Sequence, residues 1–437
     1  MSASLFPSAQ TIDLAPQPTV ESASRPAAFT AVTVQLPGSR DDLLTNVPVP
    51  TGVLSFLSEG EGLVGWGTYA SFTASGPDAA AHIAAWWADL SADLIVSDDV
   101  GVPGSGPIVF ISLGFDDTDT SVALVPQTVL GSRDGRRFRT TIGPATMAAP
   151  PAQLVPVTAP GRISYSDAAV SVSDYIEAVT AGISRIRAGE LKKVVLAHDL
   201  VATAENVVDE RYVLSRLSQA YPTCWTFAVA GLVGATPEML LRRRGLRISS
   251  RVLAGTAWSD RAGAHTAGTV ATGLLASSKD LAEHAYAVDS VASVLGAVSA
   301  DLQVPGAPRA LPLANLTHLA TDITGTLPAE SDGPSTSALA LAAALHPSAA
   351  VGGFPKDVAR GLIRELEPME RGRYAAPVGW MNAAGEGEFA IALRCAEISG
   401  NTVRMMAGCG IMADSDPEKE AREAQIKMIP VRDALEG

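Results

Sequence analysis

A chain of 437 residues, 47% of them hydrophobic, can bury the core of one large domain or two ordinary ones. Its net charge of −14 argues against nucleic acid and anionic membrane surfaces as partners, so an anionic ligand must be met by locally gathered Lys, Arg or a bound metal. Cys224, Cys395 and Cys409 have neither CxxC spacing nor the density of a secreted scaffold, which points to reduced thiols. The first residues lack a basic stretch followed by an apolar one, and the longest helix-like apolar run, Ala338 to Leu345, is too short to span a bilayer. A cytoplasmic protein is expected.

Residues 1–28 are rich in Ser, Ala and Pro and read as a mobile N-terminal segment. From 29 to 159, strand-like runs such as Leu63 to Gly67 and Pro107 to Leu113 alternate with turns. A helix is expected near Asp78 to Asp89, with Trp86 and Trp87 as core anchors. No chemical constellation stands out there, and the region reads as the N-terminal part of a sheet scaffold. Ala148 to Pro151, running on to Pro160-Gly161, reads as a connection.

The region 160–437 carries sharper signals. Ser173-Asp174 is expected to cap a helix with Tyr175, Ile176, Val179, Ile183 and Ile186 at helical spacing. The apolar strand Val194 to Ala197 follows, then a helix near Glu210 to Ala220 and the strand Trp225 to Val229. Further on, Ala390 to Arg394 and Val403 to Ala407 read as a strand pair joined through Gly400-Asn401. This alternation predicts an α+β fold of large antiparallel or mixed sheets covered by helices.

Candidate chemistry begins at the last helix. Asp416-Pro417 is a good cap, and Glu420, Glu423 and Lys427 share one helical face. In a second helix, Ser277 precedes Lys279 and Glu283. Each face alone is compatible with solvated charge, but Glu283 and Glu423 together could hold magnesium. His284 lacks an HxH or HxxxH partner and reads as structural. Leu253-Ala254-Gly255-Thr256-Ala257 and Ala407-Gly408-Cys409-Gly410 read as turns ending apolar strands, where small residues let an anion reach backbone N–H groups. Arg394, placed in an apolar strand from Ile391 to Ala396, suits either a ligand carboxylate or an internal ion pair. Lys193 opens an apolar strand, and a lysine between apolar walls is a candidate base; Lys192 beside it should be solvated. Glu238, flanked by apolar residues after Gly234-Ala235-Thr236-Pro237, is a candidate acid.

At these residues the chain resembles the chorismate-utilising family, which includes isochorismate synthases, salicylate synthases and the large subunits of anthranilate and aminodeoxychorismate synthases. The matching segments come in order: Lys193 to Ala197, Gly234 to Leu241, Leu253 to Ala257, Ser278 to His284, Leu345 to Pro355, Pro377 to Met381, Ala407 to Ile411 and Arg422 to Lys427. The resemblance is strong over 160–437 and weak before it. It implies two large face-to-face β-sheets covered by helices, and a Mg2+ ion bridging the substrate's ring carboxylate. It matches Glu283 and Glu423 to metal ligands and Glu420 to a residue holding a metal water. Arg394, Gly408, Lys427 and Tyr374 match substrate-carboxylate contacts. Gly255 and Thr256, with Ala257 after them, match the turn lining the site, and His318 matches a histidine facing the ring.

Three positions choose among family members. Lys193 stands where ammonia-using members resemble Tyr-Gln-Val, which implies water as the nucleophile, Lys193 as its base and no amidotransferase subunit. Ala254 stands where aminodeoxychorismate synthases carry an attacking lysine. Ala350-Val351 resembles the isochorismate synthase pattern, whereas salicylate synthases tend to carry Thr at the position of Ala350. The resemblance therefore implies a monomeric isochorismate synthase acting on chorismate, with Glu238 protonating the leaving 4-hydroxyl. Salicylate synthesis, with loss of pyruvate, is the alternative, and a non-catalytic chorismate-binding protein is a minor one.

Overall fold

A computed structural model describes residues 29–37, 42–144, 154–258, 267–313, 316–329 and 336–437. The segment 1–28 and the Ala148 to Pro151 part of the expected connection lie outside the described residues. In chain order the elements are β1 (Phe29–Leu36), β2 (Leu54–Ser58), β3 (Glu61–Ala74), α1 (Ala79–Ala92), β4 (Ile95–Asp98), β5 (Ile108–Ser112), β6 (Ser121–Arg133), β7 (Arg136–Pro144), β8 (Ile163–Asp167), α2 (Val172–Arg187), β9 (Lys193–Ala204), α3 (Glu210–Ala220), β10 (Trp225–Val229), β11 (Leu232–Thr236) and β12 (Met239–Arg244). They continue with β13 (Arg247–Trp258), α4 (Ala267–Ala276), α5 (Ser278–Gly296), β14 (Arg309–Pro312), β15 (Leu316–Thr326), α6 (Ala338–Leu345), β16 (Gly353–Phe354), α7 (Lys356–Leu366), β17 (Pro377–Asn382), β18 (Gly387–Ile391), β19 (Cys395–Ser399), β20 (Thr402–Ile411) and α8 (Pro417–Glu436).

All these strands join one hydrogen-bonded network, and every pairing but β1–β4 is antiparallel. The network has two arms that meet at the long strand β6. One arm runs β4-β1-β7-β6-β3-β2-β10-β11-β19-β20-β9, with β8 and β16 on the far edge of β9. The other starts where the first residues of β6 pair with β5 and runs β5-β17-β18-β12-β13-β15-β14. The two expected sheets are these two arms. Strands from before residue 145 pair with strands from after 153, as β2 does with β10 and β5 with β17.

The helices cover the arms, with α2 and α7 on β9, α8 on β20 and α5 on β13. This explains the unbroken apolar run that opens β9. Val194 and Leu196 face α2 across Gly182. By the two-residue period, Lys193 and Val195 face the other way, toward the second arm. In the N-terminal part, Trp87 is fully buried and its indole Nε1 donates to the Asn382 carbonyl at 3.1 Å, while Trp86 stacks on Phe72 at 5.4 Å.

Three local expectations change. The cap of α2 is Ser171, not Ser173: its hydroxyl accepts from the Asp174 N–H and the Asp174 carboxylate accepts from the Ser171 N–H. That reciprocal pair satisfies two otherwise orphaned donors. Gly400-Asn401 joins β20 to β19, not to the strand containing Ala390. The strand ends at Ile391, because Arg394 takes a left-handed φ of 50° that turns the chain before β19 begins. The two small-residue runs lie inside strands and do not end them. Ala254-Gly255-Thr256 forms a bulge in the β13–β15 ladder, and Gly408 and Gly410 stay paired with β9.

Candidate active site

A cavity of about 120 Å3 opens between the arms. Val195, Met406, Ala407, Gly408 and Gly410 form one wall, Leu253 to Thr256 and His318 the facing wall, and α5 and α8 flank it. Of the predicted residues, Glu238, Gly255, Thr256, Glu283, His318, Ala350, Tyr374, Arg394, Gly408, Glu420, Glu423 and Lys427 line it. Ala257 does not; it continues the strand and pairs with Thr317. Lys193 is wholly buried just behind the lining and reaches it through Glu283.

Each of three carboxylates has its own lysine. Lys193 Nζ lies 3.0 Å from Glu283, Lys279 Nζ 3.0 Å from Glu420, and Lys427 Nζ 2.7 Å from Glu423. Without a cation the set is therefore electrically balanced. Burial and the neighbouring Glu423 charge push the Glu420 carboxyl pKa up, against the pull of Lys279. One oxygen each of Glu420 and Glu423 and the Cys409 sulfur lie within 4.8 Å of one another. Burial raises the Cys409 thiol far above its ordinary range, so it stays protonated and is no ligand for a hard ion. The carboxylate oxygens that remain suit a hard divalent cation such as magnesium.

The opposite wall supplies protons and cationic donors. Glu238 lies at the β11–β12 turn, almost fully buried. Burial pushes its pKa up to about 8, with the Leu253 N–H and the charges of Lys193, Arg394 and Lys427 opposing the rise. It is thus an uncharged acid at neutral pH. Arg394 donates from Nη2 to His318 Nε2 at 3.2 Å, and its buried Nη1 has no protein acceptor. A guanidinium only donates, so His318 Nε2 is the acceptor and Nδ1 carries the proton, donated to the Thr256 hydroxyl at 3.1 Å. Burial, then Arg394 and Lys427, hold His318 neutral. Burial likewise pushes the Tyr374 phenol up to about 12.

Three functional neighbours were missed by sequence reasoning. Gly410 is required by the buried ion pair: a Cβ there would sit 2.1 Å from Glu283 Oε1 and 2.8 Å from Lys193 Cε. The small-residue run holding Gly410 was noticed, but its two-residue alternation with Lys193 across the ladder was the usable signal. Lys279 was read as a neighbour of Glu283 along the helix, yet it pairs with Glu420 of α8. Arg371, fully buried on Glu367, donates to the carbonyls of Val195 and Val351 and so ties β9 to the Ala350 loop. His284 is structural as expected: its ring nitrogens meet the Ala254 carbonyl and the Thr321 hydroxyl, locking α5 onto the Gly255 bulge.

Comparison with known proteins adds a family. The profile of the chorismate binding enzymes matches residues 148–436. Isochorismate synthase DhbC of Bacillus subtilis is 38% identical over 265 residues, covering 58% of this chain and 65% of that protein. Isochorismate synthase MenF of the same organism is 37% identical over 270 residues, covering 60% and 56%. The chain thus aligns with less than two thirds of either relative's length. The solved structure of MenF, the menaquinone-specific isochorismate synthase of Escherichia coli, shares the fold, with a TM-score of 0.76 at 23% identity over 93% of this chain and 94% of that one.

Proposed function

Since the chain belongs to the family of chorismate binding enzymes, we propose that it converts chorismate reversibly to isochorismate in a magnesium-dependent reaction. The relatives named isochorismate synthase support this reading. The observation that carries it is a buried lysine, Lys193, held on Glu283 just behind one wall of the cavity, with a buried, uncharged carboxylic acid, Glu238, lining the other.

The substrate's carboxylates meet Arg394, whose Nη1 is available, together with Lys427 and the backbone beside Gly408 and Gly255. Tyr374 adds a further contact to the substrate's carboxylates, Thr256 and His318 border the ring, and Ala350 leaves an apolar surface against it. Lys193, acting as the neutral amine, takes a proton from water, which bonds to ring carbon 2. The ring double bonds shift and the carbon 4 hydroxyl departs as water, taking the proton of Glu238. One water enters and one leaves, and one allylic hydroxyl replaces another, so the equilibrium lies near unity. Glu283 and Glu423 would hold magnesium directly and Glu420 through a water; a bound ion would supply positive charge against the ring carboxylate. Water as the nucleophile makes an ammonia-delivering subunit unnecessary, and the chain is read as working alone.

Enzyme incubated with chorismate should accumulate isochorismate when magnesium is present and not after chelation, followed by chromatography of the products. Stoichiometric pyruvate and salicylate would overturn the assignment in favour of the lyase reaction. The isochorismate formed would feed menaquinone or siderophore synthesis, and among the described residues no helix is long and apolar enough to cross a membrane.

A further inference from the structure

The strand that carries Lys193 runs out of a partner on one edge. β16 is only two residues long and pairs with Lys193 and Val194. The Val195 N–H still donates to the Gly352 carbonyl at 2.8 Å, but the Gly352 N–H, which would complete that pair, donates to the Ser348 carbonyl at 2.9 Å instead. The chain from Ser348 to Gly352 has turned away from the ladder, and this turn brings Ala350 and Val351 to the wall of the candidate active site. Two backbone groups on this edge of β9, the Val195 carbonyl and the Ala197 N–H, are thereby left without a strand partner among the described residues.

A buried ion pair stands in for the missing strand. Glu367, at the C-terminal end of α7, accepts from the Ala197 N–H at 2.8 Å, and Arg371 donates to the Val195 carbonyl at 2.7 Å. The same guanidinium donates from Nη1 to the Val351 carbonyl at 3.0 Å and grips the Glu367 carboxylate at 2.6 and 2.8 Å. It lies 4.3 Å from the centre of the Phe115 ring, which in turn meets the ring of His346, where the turn begins, edge-on at 5.4 Å. The Arg371 carbonyl accepts from the Tyr374 N–H at 3.0 Å. Arg371 therefore links three segments that line the cavity, at Val195, at Ala350-Val351 and at Tyr374. A buried ion pair adds little net stability after its desolvation cost, and a longer β16 would satisfy the same two backbone groups. A longer β16 would also lay Ala350 and Val351 into the ladder. The ion pair closes the edge of β9 while leaving that turn standing off it.

We propose that Arg371, held by Glu367, is a positioning residue whose grip on the Val351 carbonyl fixes Ala350 at the cavity wall and so keeps the reaction at isochorismate. This rests on the isochorismate synthase reading above. Isochorismate can lose its side chain with no further reagent. The hydrogen on ring carbon 2 passes to the methylene carbon of the side chain, the ether bond at ring carbon 3 breaks with its electron pair becoming the keto group of pyruvate, and the ring becomes aromatic as salicylate. That transfer requires the side chain to fold back over the edge of the ring. A turn held rigidly against the substrate denies it the room. Arg371 touches no reacting atom and acts through the carbonyls of Val351 and Val195.

The test incubates the full chain and three variants with chorismate and magnesium and quantifies pyruvate and isochorismate together over time. Arg371→Lys keeps a charge beside Glu367 but cannot fork to both carbonyls, so pyruvate formed per isochorismate should rise about tenfold, the scale of one lost charge-assisted hydrogen bond. Phe115→Leu removes only the ring under the guanidinium and should raise the ratio about threefold; as a hydrophobic swap of similar size it should fold. The paired variant Glu367→Gln/Arg371→Gln leaves no unmatched buried charge and should raise the ratio at least as far as Arg371→Lys. A merely structural role would lower the folded fraction, read by thermal melting, and both products in proportion, with the ratio at the parent value. An unchanged ratio in both Arg371→Lys and Phe115→Leu, at whatever total rate, sinks the proposal. A parent chain that forms no isochorismate removes the functional reading and this inference with it, whereas isochorismate from the parent with a fixed ratio in the variants removes this inference alone.

Discussion

The two cavities of this molecule invert each other. In the smaller, three carboxylates are each neutralised by one lysine, and a buried acid and a buried arginine face them. In the larger, a cavity of about 1110 Å3 also lying between the arms, three arginines, Arg133, Arg242 and Arg244, crowd one carboxylate, Glu388. The first arrangement is balanced by itself, and in the proposed reading a divalent cation and an anionic substrate enter it together, because their charges offset each other. The second carries more positive than negative charge around Glu388. The same sheet scaffold thus supports opposite electrostatics at two places, set by which side chains alternate onto the inner face of each strand.

The sharpest way to break this contrast is Lys193→Ala. Isochorismate formation should fall by about a hundredfold or more, the scale of a lost general base, while equilibrium chorismate binding persists. Steady-state rates that stay at the parent value would remove Lys193 as the base. Glu283→Gln comes next: calorimetry should record magnesium affinity lower by about tenfold or more, as expected when a carboxylate ligand is neutralised, and an unchanged titration would refute the metal assignment. Gly410→Ala should cost turnover about tenfold, since a misplaced catalytic pair weakens positioning, because its methyl must part Lys193 from Glu283. Parent-like turnover would mean that this pair need not be held in place.

A smaller effect is expected from pH. The burial that raises Glu238 to about 8 keeps it protonated below that value. Turnover limited by its proton should therefore be level below pH 8 and decline above it, and Glu238→Gln should abolish both most of the rate and this limb. The same shift has a stability sign. The folded chain holds a proton up to about 8 that the unfolded chain releases near the ordinary carboxyl range, so Glu238 favours folding least at high pH and most at low pH. A parent profile rising through pH 8 would contradict its role as the acid.

Much of the candidate site is legible along the chain because it is built from short segments with local rules. The cap and first turns of α8 and α5, the entry to β9 and the Gly255 bulge are each set by a few neighbouring residues, and their order along the chain carries the family resemblance. The errors are local too. Ser171 displaced Ser173 because the reciprocal partner Asp174 decided the cap. Arg394 left its expected strand because one left-handed residue ended the ladder.

What the sequence determined by itself was the inventory: carboxylates on the faces of two helices, a lysine and a glutamic acid set among apolar residues, apolar strands of period two and helices of period 3.6. Tertiary structure alone decided the partnerships. That Lys279 pairs with Glu420 rather than with Glu283, that Gly410 makes room for Lys193, and that Ala257 falls outside the cavity all depend on registers between segments far apart in sequence. The arginine cavity is the extreme case, since Arg133, Arg242, Arg244 and Glu388 come from three strands on two arms. Local periodicity fixes which way a side chain points, but only the pairing of distant strands fixes what it meets.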